Sequence, residues 1–318
     1  MEMTQGIMVS VLVLTYNQEQ WIRQTIESIL AQKTEYSYEV VIGEDWSKDG
    51  TRRICEEYAN KYNNVCLLPQ DHNLGLIANW VNCVKHASGK YLMFCAGDDY
   101  WHNPNKIQLQ VDYMENHPEC VACHTDIDEL NALKGTCCKS YKKSHKLVIP
   151  QGHIQKEILS GKDHISAVTL CLRKSLVDAY VPLDKYVELQ FPREDWPTLL
   201  ILSAHGEIIF IPESTATYRV GQESITRTSD YEKIRFRLQT DKVMTEYLYS
   251  LFPEWGPFPD AVWYDNVVWH QMMMAAYRNN DYKSAHRFAK QDVYPSKATY
   301  MAYTYITFCL FRWFLLKK

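Results

Sequence analysis

The sequence predicts an α/β fold of the Rossmann-like, doubly wound kind with a helical C-terminal extension, and three observations predict it. Short apolar runs alternate with stretches of helical periodicity through the first half of the chain, the pattern of a parallel sheet flanked by helices. Polar clusters stand at the ends of those apolar runs. After about Ser229 the pattern is helical to the end of the chain.

Residues 9–14 form the first strand, and Trp21, Ile22, Ile26, Ile29 and Leu30 recur at three- and four-residue spacing as the core-facing stripe of a helix. Residues 40–43 make the second strand. Asp49-Gly50 turns the chain into a helix faced by Ile54, Tyr58 and Tyr62, and residues 65–68 follow as the third strand. Gly75 opens a third helix bearing Leu76, Ile77, Trp80, Val81 and Val84, which Ser88-Gly89 closes. The fourth strand, residues 91–95, runs into Gly97-Asp98-Asp99. Three βα units in succession put ligands at the carboxyl ends of the strands.

Further on, residues 120–126 read as a strand and residues 133–150, where five lysines crowd, as a loop. Residues 165–172, 208–211 and 215–218 read as strands, and residues 195–204, 231–251 and 261–277 as helices. The expected division is one domain over 1–228 and a helical region over 229–318.

With 318 residues, 46% of them hydrophobic, the chain can bury a full core, and a net charge of -4 gives no reason to expect nucleic acid as a partner. Residues 1–15 carry Glu2 where an export signal has basic residues, so they read as a buried strand and the expected location is cytoplasmic. In that reducing compartment the 10 cysteines act as small buried hydrophobes. Cys120-x-x-Cys123-His124 with Cys137-Cys138 leaves two readings open, a zinc site and packing from alternating strand positions.

Residues 301–316 contain Arg312 as their one charge and precede Lys317-Lys318. The stretch falls short of the roughly 20 residues that span a bilayer. Its aromatic rings and basic end suit an interfacial helix at 300–318, holding the protein at the inner face of the membrane. The competing reading is a terminal helix packed on the core or on a second subunit.

Chemistry concentrates in acids at strand ends. Two adjacent carboxylates repel, so Asp98 and Asp99 point to a cation shared with a diphosphate, and hard ions such as Mg²⁺ or Mn²⁺ accept that ligand set. A solvated turn is the plain alternative. Glu44-Asp45-Trp46-Ser47-Lys48-Asp49-Gly50-Thr51 forms a second cluster, with Asp45 ligand-facing and Ser47 or Asp49 as caps. Asn73-Leu74-Gly75 caps a helix or meets a phosphate.

In this order the motifs resemble glycosyltransferase family 2, from about residue 7 to 225: Val9-Ser10-Val11-Leu12-Val13-Leu14-Thr15-Tyr16-Asn17, then Glu44 to Thr51, Asn73-Leu74-Gly75 and Asp98-Asp99-Tyr100-Trp101. The resemblance implies a GT-A fold with a mixed central sheet and inverting transfer from a nucleoside-diphosphate sugar. It implies that Thr15, Tyr16, Asn17, Asp45 and Asn73 line the nucleotide and that Asp98 contacts ribose or metal. Asp99 is the main metal ligand in this carry-over, with Ala96 standing where the family often has a further acid. Arg193-Glu194-Asp195-Trp196 resembles the family's second acidic pair and makes Asp195 the base, although an acid at a helix start is also an ordinary cap. Arg219 is a candidate phosphate clamp or a surface salt-bridge partner, and His164 and Trp101 border the acceptor pocket. The implied acceptor is a glycan or lipid-linked sugar in polysaccharide biosynthesis.

Two rivals remain to be weighed: a catalytically silent binding protein of the same fold, and a nucleotidyltransferase, whose basic glycine-rich loop is missing. A dinucleotide-dependent oxidoreductase is excluded, because Leu14-Thr15-Tyr16-Asn17-Gln18 occupies the place of its glycine-rich turn.

Overall fold

A computed structural model describes residues 6–221, 230–258 and 261–291. The chain divides into two compact units, Met1–Glu188 with Arg193–Gln222, and Leu189–Pro192 with Glu223–Lys318. The interfacial helix expected at 300–318 lies outside the described residues, and among those described no helix is long and apolar enough to cross a membrane.

The first unit opens with β1 (Val9–Thr15), α1 (Ile22–Leu30), β2 (Tyr38–Glu44), α2 (Thr51–Lys61), β3 (Val65–Leu67), α3 (Leu76–His86) and β4 (Tyr91–Phe94). β5 (Tyr100–Trp101), α4 (Lys106–Asn116), β6 (Cys120–Asn131), β7 (Thr136–Cys138), α5 (Tyr141–Ser144) and α6 (Gln155–Leu159) follow. A 3-10 turn at Ala167–Thr169 leads to β8 (Cys171–Arg173), α7 (Lys174–Tyr180), α8 (Leu183–Glu188), α9 (Asp195–Leu202) and β9 (Glu207–Val220).

These strands make one mixed sheet in the order β3-β2-β1-β4-β8-β6-β9-β5, with β7 beside β6. β1 pairs in parallel with both β2 and β4, while β8 runs antiparallel to β4 and β6. Its place inside the sheet explains why β1 is a nearly unbroken apolar run: Val9, Val11, Leu12 and Val13 are all buried. From β1 the chain moves one way to β2 and β3 and then returns to β4 on the other side. The carboxyl ends of β1 and β4 therefore flank a topological switch point, where open α/β sheets bind ligands.

Several expectations need correction. The loop at 133–150 contains β7 and α5, residues 165–172 divide into the 3-10 turn and β8, and the strands at 208–211 and 215–218 are one strand, β9. β9 bends at Pro212, where its register against β6 slips between Ile211 and Ser214. Cys120 and Cys123 are fully buried in the core whereas Cys137 is exposed, so the first two pack as hydrophobes.

The second unit holds α10 (Tyr231–Leu251), α11 (Ala261–Arg278) and α12 (Tyr282–Ala289). Ile234, Leu238, Met272, Met273, Ala276 and Phe288 form its own apolar core.

The turn into β4 depends on Gly89, where a Cβ would lie 2.4 Å from the Ser10 backbone nitrogen. Because backbone cannot swing aside as a side chain can, Gly89→Ala is expected to cost about 1–3 kcal/mol of stability. Urea unfolding measures this, and an unchanged midpoint contradicts the close approach of Gly89 to β1.

Candidate active site

The loops after β1 and β2 are sewn together by side-chain to backbone hydrogen bonds. Asn17 adopts φ 53°, its N–H donates to Ser47 Oγ (2.9 Å), and its Oδ1 accepts from the Lys48 N–H (2.8 Å). The Gln18 N–H donates to Thr51 Oγ1 (2.7 Å), and Asp49 Oδ1 accepts from the Thr51 N–H (3.0 Å), which bears out the capping role expected of Asp49. Thr15 is buried and donates through Oγ1 to Gln18 Oε1 (2.8 Å).

Asp45 turns out to be a latch. It is 4% exposed, and its two carboxylate oxygens accept from the N–H groups of Leu74 (2.6 Å) and Gly75 (3.0 Å). Asn73 Nδ2 donates to the Asp45 carbonyl (2.7 Å). The N–H groups leading into α3 need acceptors, and Asp45 supplies them from the neighbouring loop. Asp45 and Asn73, expected to face the ligand, pair the two loops through these bonds. Tyr16 and Trp46, at 42% and 44% exposure, are the large rings these loops present to solvent. Trp46 was not among the residues singled out by sequence, and only its place beside Asp45 pointed to it.

At the end of β4, Gly97 sits so close to β1 that a Cβ would lie 2.5 Å from Thr15 Oγ1 and 2.4 Å from Gln18 Oε1. Thr25 Oγ1 bonds the carbonyls of Gly97 (3.0 Å) and Asp99 (2.6 Å), holding the turn against α1. The adjacent acids then part. Asp99 is 3% exposed, its Oδ1 accepts from the Arg219 N–H (2.8 Å), and burial, reinforced by Asp98, pushes its carboxyl well above the usual carboxylate range. Asp98 stays half-buried. Burial thus separates the two acids, with Asp99 held on the Arg219 N–H and Asp98 the more exposed of the pair.

Arg219 is not placed as a phosphate clamp. It is 5% exposed, with its guanidinium 4.4 Å from the centre of the Trp21 ring and 4.9 Å from that of Tyr100. It donates to the Asp98 carbonyl and to Gln24 Oε1. Trp101, expected at the acceptor pocket, is 3% exposed and belongs to the core.

The second acidic pair begins α9. Asp195 Oδ1 accepts from the Trp196 N–H (2.7 Å), so it partly fills the capping role open to it. Glu194, half-buried as a residue, has its carboxyl pushed up to about 8 by burial and by Asp195. Glu194, Asp195, Trp80, Ala167 and Leu170 line a cavity of about 10 Å³ together with Phe94, the last residue of β4. The N-terminus of α9 thus faces the carboxyl end of the strand that leads to Asp98. Asp163 lies near enough that Asp195, after burial, helps to raise its carboxyl pKa, and His164 next to it holds φ 53°.

A mixed sheet with acids gathered at the carboxyl ends of its parallel strands defines a GT-A fold. The chain belongs to glycosyl transferase family 2, whose profile matches residues 10–176. It is 29% identical over 235 residues to the protein Rv1520 of Mycobacterium tuberculosis, a match covering 71% of this chain and 63% of that protein, less than two thirds of its length. It is 26% identical over 174 residues to WfgD of Escherichia coli, named a UDP-Glc:alpha-D-GlcNAc-diphosphoundecaprenol beta-1,3-glucosyltransferase, covering 54% of this chain and 63% of WfgD. Staphylococcus aureus TarS 1-349 in complex with UDP-GlcNAc superposes with a TM-score of 0.53 at 17% identity over 90% of this chain and 84% of that one. The mannosyltransferase PcManGT of Pyrobaculum calidifontis, in complex with GDP-Man and Mn2+, also gives 0.53, at 14% identity over 96% and 86%.

The Glu194 carboxyl gives a pH test. Its folded pKa of about 8 exceeds its ordinary 4.5, so between these values the folded chain keeps a proton that the unfolded chain releases. Stability therefore falls as pH rises through that window. Glu194→Gln, which cannot ionise, is expected to match the wild-type melting temperature near pH 5 and to exceed it by several degrees at pH 8.5. A difference that stays constant with pH contradicts the raised pKa.

Proposed function

We propose that this protein transfers a sugar from a nucleoside-diphosphate donor to a hydroxyl of a glycan or lipid-linked acceptor, by one displacement that inverts the anomeric carbon. The observation that carries the proposal is that Asp195 lines one small cavity with Phe94, the last residue of β4, which supports an acid for the acceptor near the strand that leads to an acid for the donor. Asp195 takes the acceptor proton, the hydroxyl oxygen bonds to the anomeric carbon, and the bond from that carbon to the diphosphate breaks. Burial and the neighbouring Asp195 raise the Glu194 carboxyl, which favours Asp195 over Glu194 as the base.

A divalent cation fits the donor side. Asp98 is a half-buried carboxylate, Ala96 offers none, and among the described residues no group of three His, Cys, Asp or Glu side chains is placed to hold an ion. Mg²⁺ and Mn²⁺ accept one or two carboxylates and complete their shell with phosphate oxygens and water, so Asp98 would hold the ion jointly with the diphosphate. Bound there, the ion neutralises charge on the leaving diphosphate. Tyr16, exposed at the end of β1, lines the nucleoside. Mn2+ and GDP-Man in the PcManGT complex, and UDP-GlcNAc in that of TarS, support this reading of the donor. The acceptor named for WfgD supports a lipid-linked sugar in polysaccharide assembly, at the cytoplasmic face of the membrane with residues 300–318 as the contact.

UDP-, GDP- and dTDP-sugars, each with Mn²⁺, provide the test. Asp195→Asn is expected to keep donor binding and to lose about 10²–10⁴-fold in transfer rate. Asp98→Asn is expected to lose the Mn²⁺-dependent part of donor binding. Wild-type transfer rates in both variants overturn the mechanism, and donor binding without transfer in the wild type favours a silent binding protein.

A further inference from the structure

We propose that Trp46 is a platform on which the donor's nucleobase stacks, and so a donor-binding residue. The proposal rests on the donor site described above. Its first support is conformational. Trp46 holds φ 60°, a left-handed conformation that glycine adopts freely and that is an outlier for so bulky a side chain. Such strain persists where the surroundings enforce it and gathers at ligand sites.

The second support is how the ring is held. The Arg52 guanidinium lies 5.0 Å from the centre of the Trp46 ring. Arg52 is itself fixed by Glu56 Oε1 (3.2 Å), the Gln70 carbonyl (3.1 Å) and, more loosely, Glu44 Oε2 (3.7 Å). One face of the indole is therefore backed by a fixed cation, yet the residue remains 44% exposed. The ring has no place in the apolar core, so folding alone gives no reason for it.

The third support is position, and it selects a base over a sugar. Thr15 and Glu44 are register partners, and the Asp45 N–H donates to the Thr15 carbonyl (2.9 Å), so Tyr16 and Trp46 leave neighbouring strands at the same end. A cation on Asp98 would hold the diphosphate at the end of β4, with β1 and then β2 on one side of it. Two strand spacings, about 10 Å, separate β4 from β2. A nucleotide anchored at β4 by its diphosphate and running across β1 brings its base, not its sugar, to the end of β2. Stacking on an aromatic ring needs only the flat face that every base has.

Calorimetry with UDP, GDP, dTDP and inorganic pyrophosphate, each with Mn²⁺, tests this on the full chain and its Trp46→Gly and Trp46→Phe variants. Trp46→Gly is expected to weaken whichever nucleoside diphosphate the wild type binds by about tenfold or more, to leave pyrophosphate unchanged, and to melt no lower than the wild type. Trp46→Phe is expected to keep most of the affinity. Unchanged nucleotide affinity in Trp46→Gly, or an equal loss for pyrophosphate, overturns the platform while leaving the donor site standing. A wild-type protein that binds none of the three nucleotides overturns both.

Discussion

The active end of the sheet hangs on one buried contact, the carboxyl of Asp99 accepting the backbone N–H of Arg219 at 2.8 Å. A carboxyl removed from water needs a donor or a proton, and Asp99 is supplied with the first and inclined to take the second. The Arg219 side chain completes the tie by passing between Trp21 and Tyr100 to reach the Asp98 carbonyl and Gln24. The last turns of β9, the Gly97-Asp98-Asp99 turn and α1 are thereby joined. Breaking such a contact leaves a buried polar group without its partner, which costs more than the bond itself contributes. With Asp99 bonded inward and Gly97 pressed on Thr15, the turn that carries Asp98 lies beside the switch point between β1 and β4.

The same logic distributes the other acids. Asp45 is spent on the backbone ahead of α3, which joins two loops that both border the cleft. The Glu194 carboxyl is raised by burial beside Asp195. Asp98, just past the end of β4, and Asp195, at the start of α9, are the acids proposed to meet substrate. The pairs differ in this: Asp99 is buried beside a half-buried Asp98, whereas Glu194 and Asp195 are both half-buried.

The first three βα units were legible in the sequence because their strands are apolar on both faces and their helices carry clear stripes. What escaped did so for physical reasons. α4 turns Lys106 and Gln110 toward the interior, where Lys106 bonds Gln110, Thr169 and Thr215, so its buried face does not read as apolar. α5 docks through polar groups, with the Lys142 ammonium on the Thr125 carbonyl and its N–H on Asp126, which composition alone renders as a basic loop. Pro212 looked like the end of a strand and is a bulge within one. In the site, the acidic clusters were legible as charged residues at strand ends, whereas the burial of Asp45, Asp99 and Arg219 was not, because it depends on partners distant in the chain.

The central claim is that Asp99 is committed to the fold and Asp98 to the donor. A crystal structure with Mn²⁺ and the nucleoside diphosphate the protein binds, recorded at a wavelength where manganese scatters anomalously, tests it most directly. The account predicts an anomalous peak within coordination distance of the Asp98 carboxylate and the diphosphate, with Asp99 Oδ1 still on the Arg219 N–H. A peak coordinated by Asp99, with that hydrogen bond broken, contradicts it.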